Sequence, residues 1–318
     1  MKKWLLSLAA LTTALLLACG AAAEDKVNVY ALKGPTGIGM TGVMEHQAGE
    51  YTFTLAGAPD EIVAAIASGS ADIAACPTNL AAVLNKKTGG NVQLLAINTL
   101  GVLHVVSSDP TIDSFDDLAG RKVYATGQAS VPEYVINYIL AANGLTDKVE
   151  IEYVAEHSEL ATLLAAGKAE TGILPEPHVT SALMQNDALR AVIDVTAAFD
   201  DAAAKAGNDG MALSMGCVIV RRDFAEAHPE KVNAFLDAYA ASVEAVNADA
   251  ETAGQWVEKH GVMPKAAVAQ RAIPNCHIVF VEGEAARAQI EPLYQVLLEA
   301  NPASIGGALP DDGFYYVR

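Results

Sequence analysis

The sequence predicts an α/β protein built from two similar lobes with a cleft between them. One segment, EIVAAIASGSADIAACPTNL at residues 61–80, recurs without a gap as ELATLLAAGKAETGILPEPH at residues 159–178. Each copy has the pattern of an amphipathic helix, a glycine turn, a short strand and a proline-containing turn that enters another helix. The repetition of this unit favours two lobes of similar build, and a chain of 318 residues is long enough to give each lobe its own core.

The first lobe is predicted to begin with a strand at residues 26–32, followed by the glycine-rich turn KGPTGIGM at residues 33–40 and a helix at residues 38–47. Glycine allows the backbone to approach a bound molecule closely, and a helix N-terminus offers free N–H groups, so this turn is a candidate binding element. It is not a phosphate loop because the Gly-Lys-Ser/Thr ending is absent. The alternative is a tight turn with no role in binding.

The chain is predicted to cross between the lobes twice. A strand at residues 92–97 is followed almost directly by another at residues 102–107, and the strand MGCVIV at residues 215–220 is predicted to return to the first lobe. Residues 197–212 are predicted to form a loop because acidic residues and glycine are frequent there. The predicted boundaries are residues 27–101 and 216–318 for lobe 1 and residues 102–215 for lobe 2.

The N-terminus is predicted to carry an export signal. Residues 1–18 have a basic start and an apolar run, which is the pattern of a secretory signal peptide. Cys19 follows Leu-Leu-Ala directly, an arrangement that resembles a bacterial lipobox. It predicts that Cys19 is the lipidated first residue of the mature protein, ahead of a linker at residues 19–26. The alternative is an ordinary signal peptide cut after Ala23.

Composition argues against several classes of partner and site. The net charge is −18 and Lys and Arg form no cluster, so nucleic acid is not expected as a partner. Cys76, Cys217 and Cys276 lack the spacing of metal ligands and are predicted to be buried free thiols. The histidines other than His178 are dispersed, so we expect no metal site, and no cofactor is expected either.

Polar residues in the turns after predicted strands are the candidate ligand contacts, because open α/β sheets bind ligands at the carboxyl ends of their strands. The candidates are Thr36, Gly37, Thr78, Asn79 and, at the first crossing, Thr99, together with Thr126, Gln128, Ser130, Glu176 and His178 in lobe 2. Some have other interpretations. Thr78 or Asn79 is a suitable helix N-cap, Glu176 suits the positive end of the next helix, and His178 suits a partly buried helix position.

The segments found so far resemble those of the solute-binding lipoproteins of ABC importers, in the nitrate, sulfonate and taurine group that also includes receptors for thiamine-precursor pyrimidines. The resemblance covers nearly the whole mature chain and rests on the lipobox and on LKGPTGIGM, GSADIA, DSFDDLAGRKVYATGQAS, LPEPHVTSAL, HPEKVNAFLDAY and IPNCHIVFVEG. It implies the type II periplasmic-binding fold, in which two α/β lobes with two hinge crossings enclose a ligand cleft. It also implies a membrane permease with its ATPase as partners and an extracytoplasmic location in a bacterium. We expect a lipid-anchored monomer.

The function expected on these grounds is capture of a small polar ligand between two closing lobes, for delivery to the permease. The ligand is either a sulfonate-like anion or a pyrimidine-type heterocycle. Lys33 is the one cation near the candidate turns, which weakens the case for a strongly anionic ligand, although helix N-termini bind anions without a cation.

Two other functions remain open at this point. One is a cofactor-biosynthesis enzyme of the cytosolic type on the same fold, in which Cys76, Glu176 and His178 would supply a nucleophile and a base. The export signal argues against it, and so we expect no enzyme. The other is a receptor that signals to a membrane sensor instead of feeding a transporter, which the sequence does not separate from the importer component.

Overall fold

The structure is a computed structural model that describes residues 26–128, 130–208 and 211–318. The predicted signal peptide, Cys19 and the alternative cleavage position after Ala23 lie outside these residues. The described strands are β1 (Val27–Leu32), β2 (Tyr51–Ala56), β3 (Ile73–Pro77), β4 (Val92–Thr99), β5 (Leu103–Ser107), β6 (Lys122–Ala125), β7 (Glu150–Tyr153), β8 (Thr171–Pro175), β9 (Arg190–Asp194), β10 (Gly216–Arg221) and β11 (Ile278–Glu282).

Helices connect and cover these strands. They are α1 (Pro35–Ile38), α2 (Thr41–His46), α3 (Pro59–Ser68), α4 (Thr78–Lys87), α5 (Val131–Ala142), α6 (His157–Ala165), α7 (His178–Leu183), α8 (Val195–Lys205), α9 (Arg222–Ala227), α10 (Pro229–Ala248), α11 (Ala250–Lys259), α12 (Ala266–Ala272) and α13 (Gly283–Ala300). Short 3-10 helices lie at Phe115–Leu118, Ile273–Asn275, Pro302–Ile305 and Asp312–Phe314. In the described part of the chain, no helix combines the length and the apolar character that crossing a membrane requires.

The strands form two sheets of related design. The first has the order β11-β4-β10-β3-β1-β2 and the second β7-β6-β8-β5-β9. In the first sheet β2, β1 and β3 run parallel and β10 is antiparallel to β3, while in the second β7, β6 and β8 run parallel and β5 is antiparallel to β8. The chain leaves the first sheet between β4 and β5 and returns between β9 and β10. The two α/β lobes and the two crossings are therefore confirmed.

The repeated segment occupies the same place in each sheet. Its first copy provides all but the first two residues of α3, then β3 and the start of α4, and its second copy provides all but the first two residues of α6, then β8 and the first residue of α7. The glycines between helix and strand, Gly69 and Gly167, have φ of 75° and 66°, in the left-handed region where a side chain is strained. The first sheet draws its strands from residues 27–99 and 216–282 and the second from residues 103–194, while the exact lobe boundaries stay predictions.

Two local predictions were wrong. The helix expected at residues 38–47 is divided into α1 and α2 at Gly39, where an added Cβ would lie 2.7 Å from the Tyr239 hydroxyl. The loop expected at residues 197–212 is helical in its first half, because α8 extends to Lys205. Asp194 caps this helix by accepting a hydrogen bond from the Thr196 N–H at 2.8 Å. The alanines of α8 favour the helix, and its fully buried Phe199 anchors it to the core.

Apolar packing joins the two lobes around the crossings. One core lies beneath the first sheet against α10, α11 and α12, while the largest core runs from the other face of that sheet into the second lobe. Between the lobes, the Asn301 amide Nδ2 also donates a hydrogen bond to the Tyr134 hydroxyl at 2.8 Å. Apolar packing that is continuous between the two lobes therefore supports the strands whose ends carry the candidate turns.

Candidate functional site

A cleft of about 700 Å³ lies where the two sheets face each other, a volume in the range of small-molecule sites. The turns after β1, β3, β6 and β8 all contribute to its wall, as expected for ligand sites in open α/β sheets. The lining residues from these turns are Lys33, Gly34, Pro35, Thr36, Pro77, Asn79, Leu80, Gly127, Ser130, Val131, Pro132, Pro175, Glu176, Pro177 and His178. Pro59, Thr99, Val102, His157, Met215, Val262, Met263 and Pro264 complete the wall.

The structure brings six of the ten predicted ligand residues to this cleft. These are Thr36, Asn79, Thr99, Ser130, Glu176 and His178. Gly37, Thr78, Thr126 and Gln128 are not among the lining residues.

For two of the four predicted residues that do not line the cleft, the structure gives a simple reason. Gly37 is buried, and a Cβ at this position would lie 2.5 Å from the Leu32 carbonyl oxygen, so the glycine is required by the turn itself. Gln128 is exposed and lies outside the cleft wall. Gly37 has no side chain to offer a ligand, and the Gln128 side chain does not line the cleft.

Thr78 lies behind the cleft wall, where it holds two strands together. Its side chain is fully buried and its Oγ1 donates a hydrogen bond to the Ser214 carbonyl at 2.7 Å. Its N–H donates to the Met215 carbonyl at 3.2 Å, and its own carbonyl accepts from the Tyr294 hydroxyl at 2.8 Å. The start of α4 is thereby attached to the chain that enters β10 and to α13.

Thr126 also acts through a neighbour. Its Oγ1 lies 2.7 Å from Nδ1 of His157, and the His157 ring lies 5.4 Å from the ring of His178, centroid to centroid, with the planes tilted by 43°. Burial lowers the pKa of both histidines, and that of His178 falls to about 4 because the charge of His157 adds to the effect of burial. At neutral pH the cleft therefore presents two uncharged imidazoles.

Glu176 combines a cleft position with the capping role that was its other interpretation. The residue is 2% exposed. Its carboxylate accepts hydrogen bonds from the Thr180 N–H at 3.1 Å and the Thr180 hydroxyl at 2.9 Å, which fixes the start of α7. A third donor, Nδ2 of Asn275, reaches Oε1 at 3.4 Å from the segment before β11. Burial raises the pKa of Glu176, although these hydrogen bonds oppose the shift.

The remaining polar groups of the wall are fixed by hydrogen bonds to the protein. Asn98 donates to the Thr36 carbonyl at 3.0 Å and accepts from the Thr99 hydroxyl at 3.1 Å. Asn79 donates to the Ser304 carbonyl at 3.3 Å, and the Ser130 hydroxyl donates to the Gly127 carbonyl at 2.6 Å. Because these groups are already oriented, little side-chain freedom is lost when a ligand binds.

The sequence-based prediction missed His157 and the methionines Met215 and Met263. The repeat could have indicated His157. Extending the alignment of the two copies two residues upstream pairs His157 with Pro59, which also lines the cleft. The methionines come from segments far from the candidate turns, and no local pattern marks them.

The structure does not assemble the enzyme site considered above. Cys76 is fully buried and absent from the cleft wall, while Glu176 and His178 line it. Cys76, Cys217 and Cys276 are free and buried. In the described residues, no group of His, Cys, Asp and Glu side chains is arranged to hold a metal ion.

Comparison with known proteins identifies the family. A family model described as the phosphonate periplasmic substrate-binding protein of ABC transporters matches residues 44–253, which is more than half of the chain. No curated protein sequence matches the chain.

Solved structures share the fold at low sequence identity. A Parabacteroides distasonis structure described as an ABC transporter has a TM-score of 0.78 and 22% identity, covering 93% of this chain and 100% of that chain. The aliphatic sulphonate binding protein SsuA from Escherichia coli has a TM-score of 0.67 and 16% identity over 88% and 94% of the two chains. The alkanesulfonate-binding protein SsuA from Xanthomonas axonopodis pv. citri, bound to MOPS, has a TM-score of 0.62 and 15% identity, covering 91% of this chain and 96% of that chain. The protein described here belongs to the family of periplasmic substrate-binding proteins of ABC transporters.

Proposed function

We propose that this protein captures a small polar ligand in the cleft between its lobes and delivers it to the permease and ATPase of an ABC importer. Members of its family are substrate-binding components of transporters and not enzymes. The observation that carries the proposal is the cleft itself, because its wall combines fixed polar groups from both lobes. A ligand that contacts both walls gains more contacts in a closed form than in an open one and so shifts the equilibrium toward closure.

The proposed ligand contacts are the predicted residues that line the cleft. Thr36 and Asn79 act from lobe 1, Thr99 from the first crossing, and Ser130, Glu176 and His178 from lobe 2. The helices α4 and α5 begin at the cleft and, within the described residues, neither is capped by a side chain. Few of their first N–H groups are free, because the Thr78 N–H donates to the Met215 carbonyl, Pro132 has no N–H, and the Glu133 N–H donates to the Ser130 carbonyl. Thr78, Thr126 and Gly37 support the wall from behind, and Gln128 is left without a role.

Two ligand classes agree with different observations. A sulfonate-like or phosphonate-like anion agrees with the family description, with the sulfonates bound by the SsuA proteins and with the two helix N-termini. A pyrimidine-type heterocycle agrees with the apolar wall and the two imidazole rings. The same cleft would also serve a receptor that signals to a membrane sensor, and loss of ligand uptake on deletion of the permease would separate the two functions.

A thermal-shift screen followed by calorimetry tests the cleft. A ligand present at 100 times its Kd stabilises the folded protein by about 2.7 kcal/mol. Asn79→Ala and Glu176→Ala should each weaken binding at least tenfold, whereas Glu170→Ala, at an exposed carboxylate near the other end of β8, should leave it unchanged. Unaltered affinity in both cleft variants would contradict the assignment.

We also propose that Cys19 is lipidated and anchors the protein to the membrane as a monomer. The support is the lipobox sequence. Mass spectrometry of the N-terminal peptide should show acyl chains on Cys19 that disappear in Cys19→Ala. Light scattering after size exclusion should give the mass of one chain. An N-terminus at Glu24 would instead indicate the ordinary signal peptide.

A further inference from the structure

The segment before β11 holds the first crossing between the lobes by two hydrogen bonds. β11 pairs with β4 so that Ile278 lies opposite Thr99, and His277 therefore lies beside the chain that leaves the first sheet. The Leu100 N–H donates to the His277 carbonyl at 3.1 Å. In the other direction, Nδ1 of His277 donates to the Gly101 carbonyl at 2.5 Å, since a carbonyl oxygen can only accept. One residue thereby binds two consecutive residues of the crossing.

The backbone of His277 is strained at this position. Its φ is 43°, and within the described residues it is the one non-glycine position with a positive φ. This conformation costs free energy for a residue with a Cβ, and it persists only where the surrounding structure enforces it. The buried Cys276 and Ile278 anchor the backbone on either side of the histidine. Strain of this kind is concentrated at positions that serve a function.

His277 also faces lobe 2 across the crossing. Burial raises the pKa of Asp200 in α8, and a charge on His277 opposes this shift. Burial lowers the pKa of His104 in β5, while Asp194 opposes that effect and a charge on His277 adds to it. On the same side, a Cβ added to Gly101 would lie 2.0 Å from a side chain of α8. The crossing is therefore confined between His277 and the second lobe.

The same segment reaches the ligand cleft through Asn275, two residues before His277. Nδ2 of Asn275 donates to Oε1 of Glu176 at 3.4 Å, and the Glu176 N–H donates to the Val102 carbonyl at 2.8 Å. Val102 directly follows Gly101 in the crossing, and Val102 and Glu176 both line the cleft. The contacts therefore form a closed ring that runs from the crossing to the cleft carboxylate and back to the crossing.

We propose that His277 is a positioning residue for ligand capture: it fixes the backbone of the first crossing and, through Asn275, links it to the Glu176 carboxylate. The inference rests on the proposed function of the cleft and adds a residue that does not line it. Lobe closure changes backbone angles at a few residues of the crossings. A molecule that binds Glu176 acts on the Asn275 segment, and His277 carries this effect to the backbone of Gly101.

Distances between two spin labels on the ligand-free mature protein test the positioning role. The labels are attached to a ketone-bearing amino acid at Asp60 and Asp187, which are exposed and lie one in each lobe, so that the native cysteines stay unlabelled. His277→Ala should widen the distance distribution at least twofold, because the hydrogen bond to Gly101 is lost. His277→Asn should keep the native distribution, since asparagine tolerates positive φ and its amide can donate to the same carbonyl.

A glycine variant keeps the test valid if His277→Ala does not fold. His277→Gly relieves the strain at positive φ but also lacks the imidazole, so it should widen the distribution while unfolding stays cooperative. A native distribution in the glycine variant would overturn the inference. Equal widening by asparagine and glycine would overturn it as well, because the hydrogen bond would then not set the crossing.

Calorimetry separates this inference from the proposed function. The probes are taurine, methanesulfonate, methylphosphonate and cytosine. With the tightest of them, His277→Gly and Asn275→Ala should each weaken binding at least threefold, whereas Glu284→Ala, at an exposed carboxylate near the other end of β11, should leave it unchanged. Native affinity in both variants would overturn the inference while the proposed function stands. If no probe binds the native protein, the proposed function fails, and the ligand-free distances still decide whether His277 positions the lobes.

Discussion

Replacing Thr78 by valine would test whether this residue supports the cleft or contacts the ligand. The sequence predicts a ligand contact, but the structure directs the Thr78 hydroxyl to the Ser214 carbonyl at 2.7 Å, in a fully buried position. Valine keeps the shape of threonine and removes the donor. The carbonyl of Ser214 would then remain buried without this hydrogen bond.

The expected cost follows from this geometry. Loss of a buried donor opposite an uncompensated carbonyl destabilises a protein by about 2 kcal/mol. For a chain of this size, that change lowers Tm by about 3 °C. Ligand affinity should change by less than about threefold, since no contact with the ligand is removed.

Differential scanning calorimetry and ligand titration on the same samples would measure both effects. Thr78→Ser is the matched control, because it keeps the hydroxyl and should retain most of the stability. The structural role of Thr78 would be refuted if the valine variant melted at the native temperature but no longer bound ligand. Destabilisation by serine with none by valine would show that the methyl group, and not the hydrogen bond, matters.

Three further predictions concern the crossings, the histidines and the contact between the lobes. Gly101→Ala places a Cβ 2.0 Å from Thr196 Oγ1 and should lower the free energy of unfolding by about 1–3 kcal/mol. Adding Thr196→Ala should restore part of that stability. Urea unfolding that shows equal stability for the native chain and Gly101→Ala would contradict the prediction. Burial lowers the pKa of His178 from 6.5 to about 4, so the stability it contributes is complete above pH 6.5 and is lost as pH falls toward 4. Between pH 7 and pH 4, His178→Asn should therefore lose about 1–2 kcal/mol less stability than the native chain, a figure reduced for partial exposure, and equal losses would refute this. Tyr134→Phe should lower the free energy of unfolding by about 1 kcal/mol, because the hydrogen bond from Asn301 is lost. A double-mutant cycle with Asn301→Ala should give a coupling energy of similar size. Additive effects of the two substitutions would show that this hydrogen bond does not stabilise the protein.

Much of the fold could be predicted because its signals are local. The strands and helices of both repeat copies follow from apolar periodicity, glycine turns and proline positions, and the crossing after β4 follows from two strands with almost no connection. The helix α8 was missed because its start depends on Asp194, whose role as an N-cap is not evident until the hydrogen bond from the Thr196 N–H is known. Acidic composition alone does not separate an N-cap from a loop.

The site was predicted less completely for a physical reason. The rule that ligands bind at strand ends locates the turns, and it placed Asn79, Ser130 and Glu176 correctly on the cleft wall. It does not indicate which side chain in a turn faces outward. Met215 and Met263 enter the wall only through tertiary packing, which spacing in the sequence does not encode.

The repeat shows how one scaffold position acquires two roles. Thr78 and Glu176 occupy equivalent places in the two copies, and each donates its N–H to the chain just before an antiparallel crossing strand, to Met215 at 3.2 Å and to Val102 at 2.8 Å. The backbone function is therefore the same in both lobes. The side chains differ in reach, because threonine ends at the Ser214 carbonyl, whereas the longer carboxylate extends to the cleft. Exchange of the two residues should accordingly impair folding in lobe 1 and ligand binding in lobe 2.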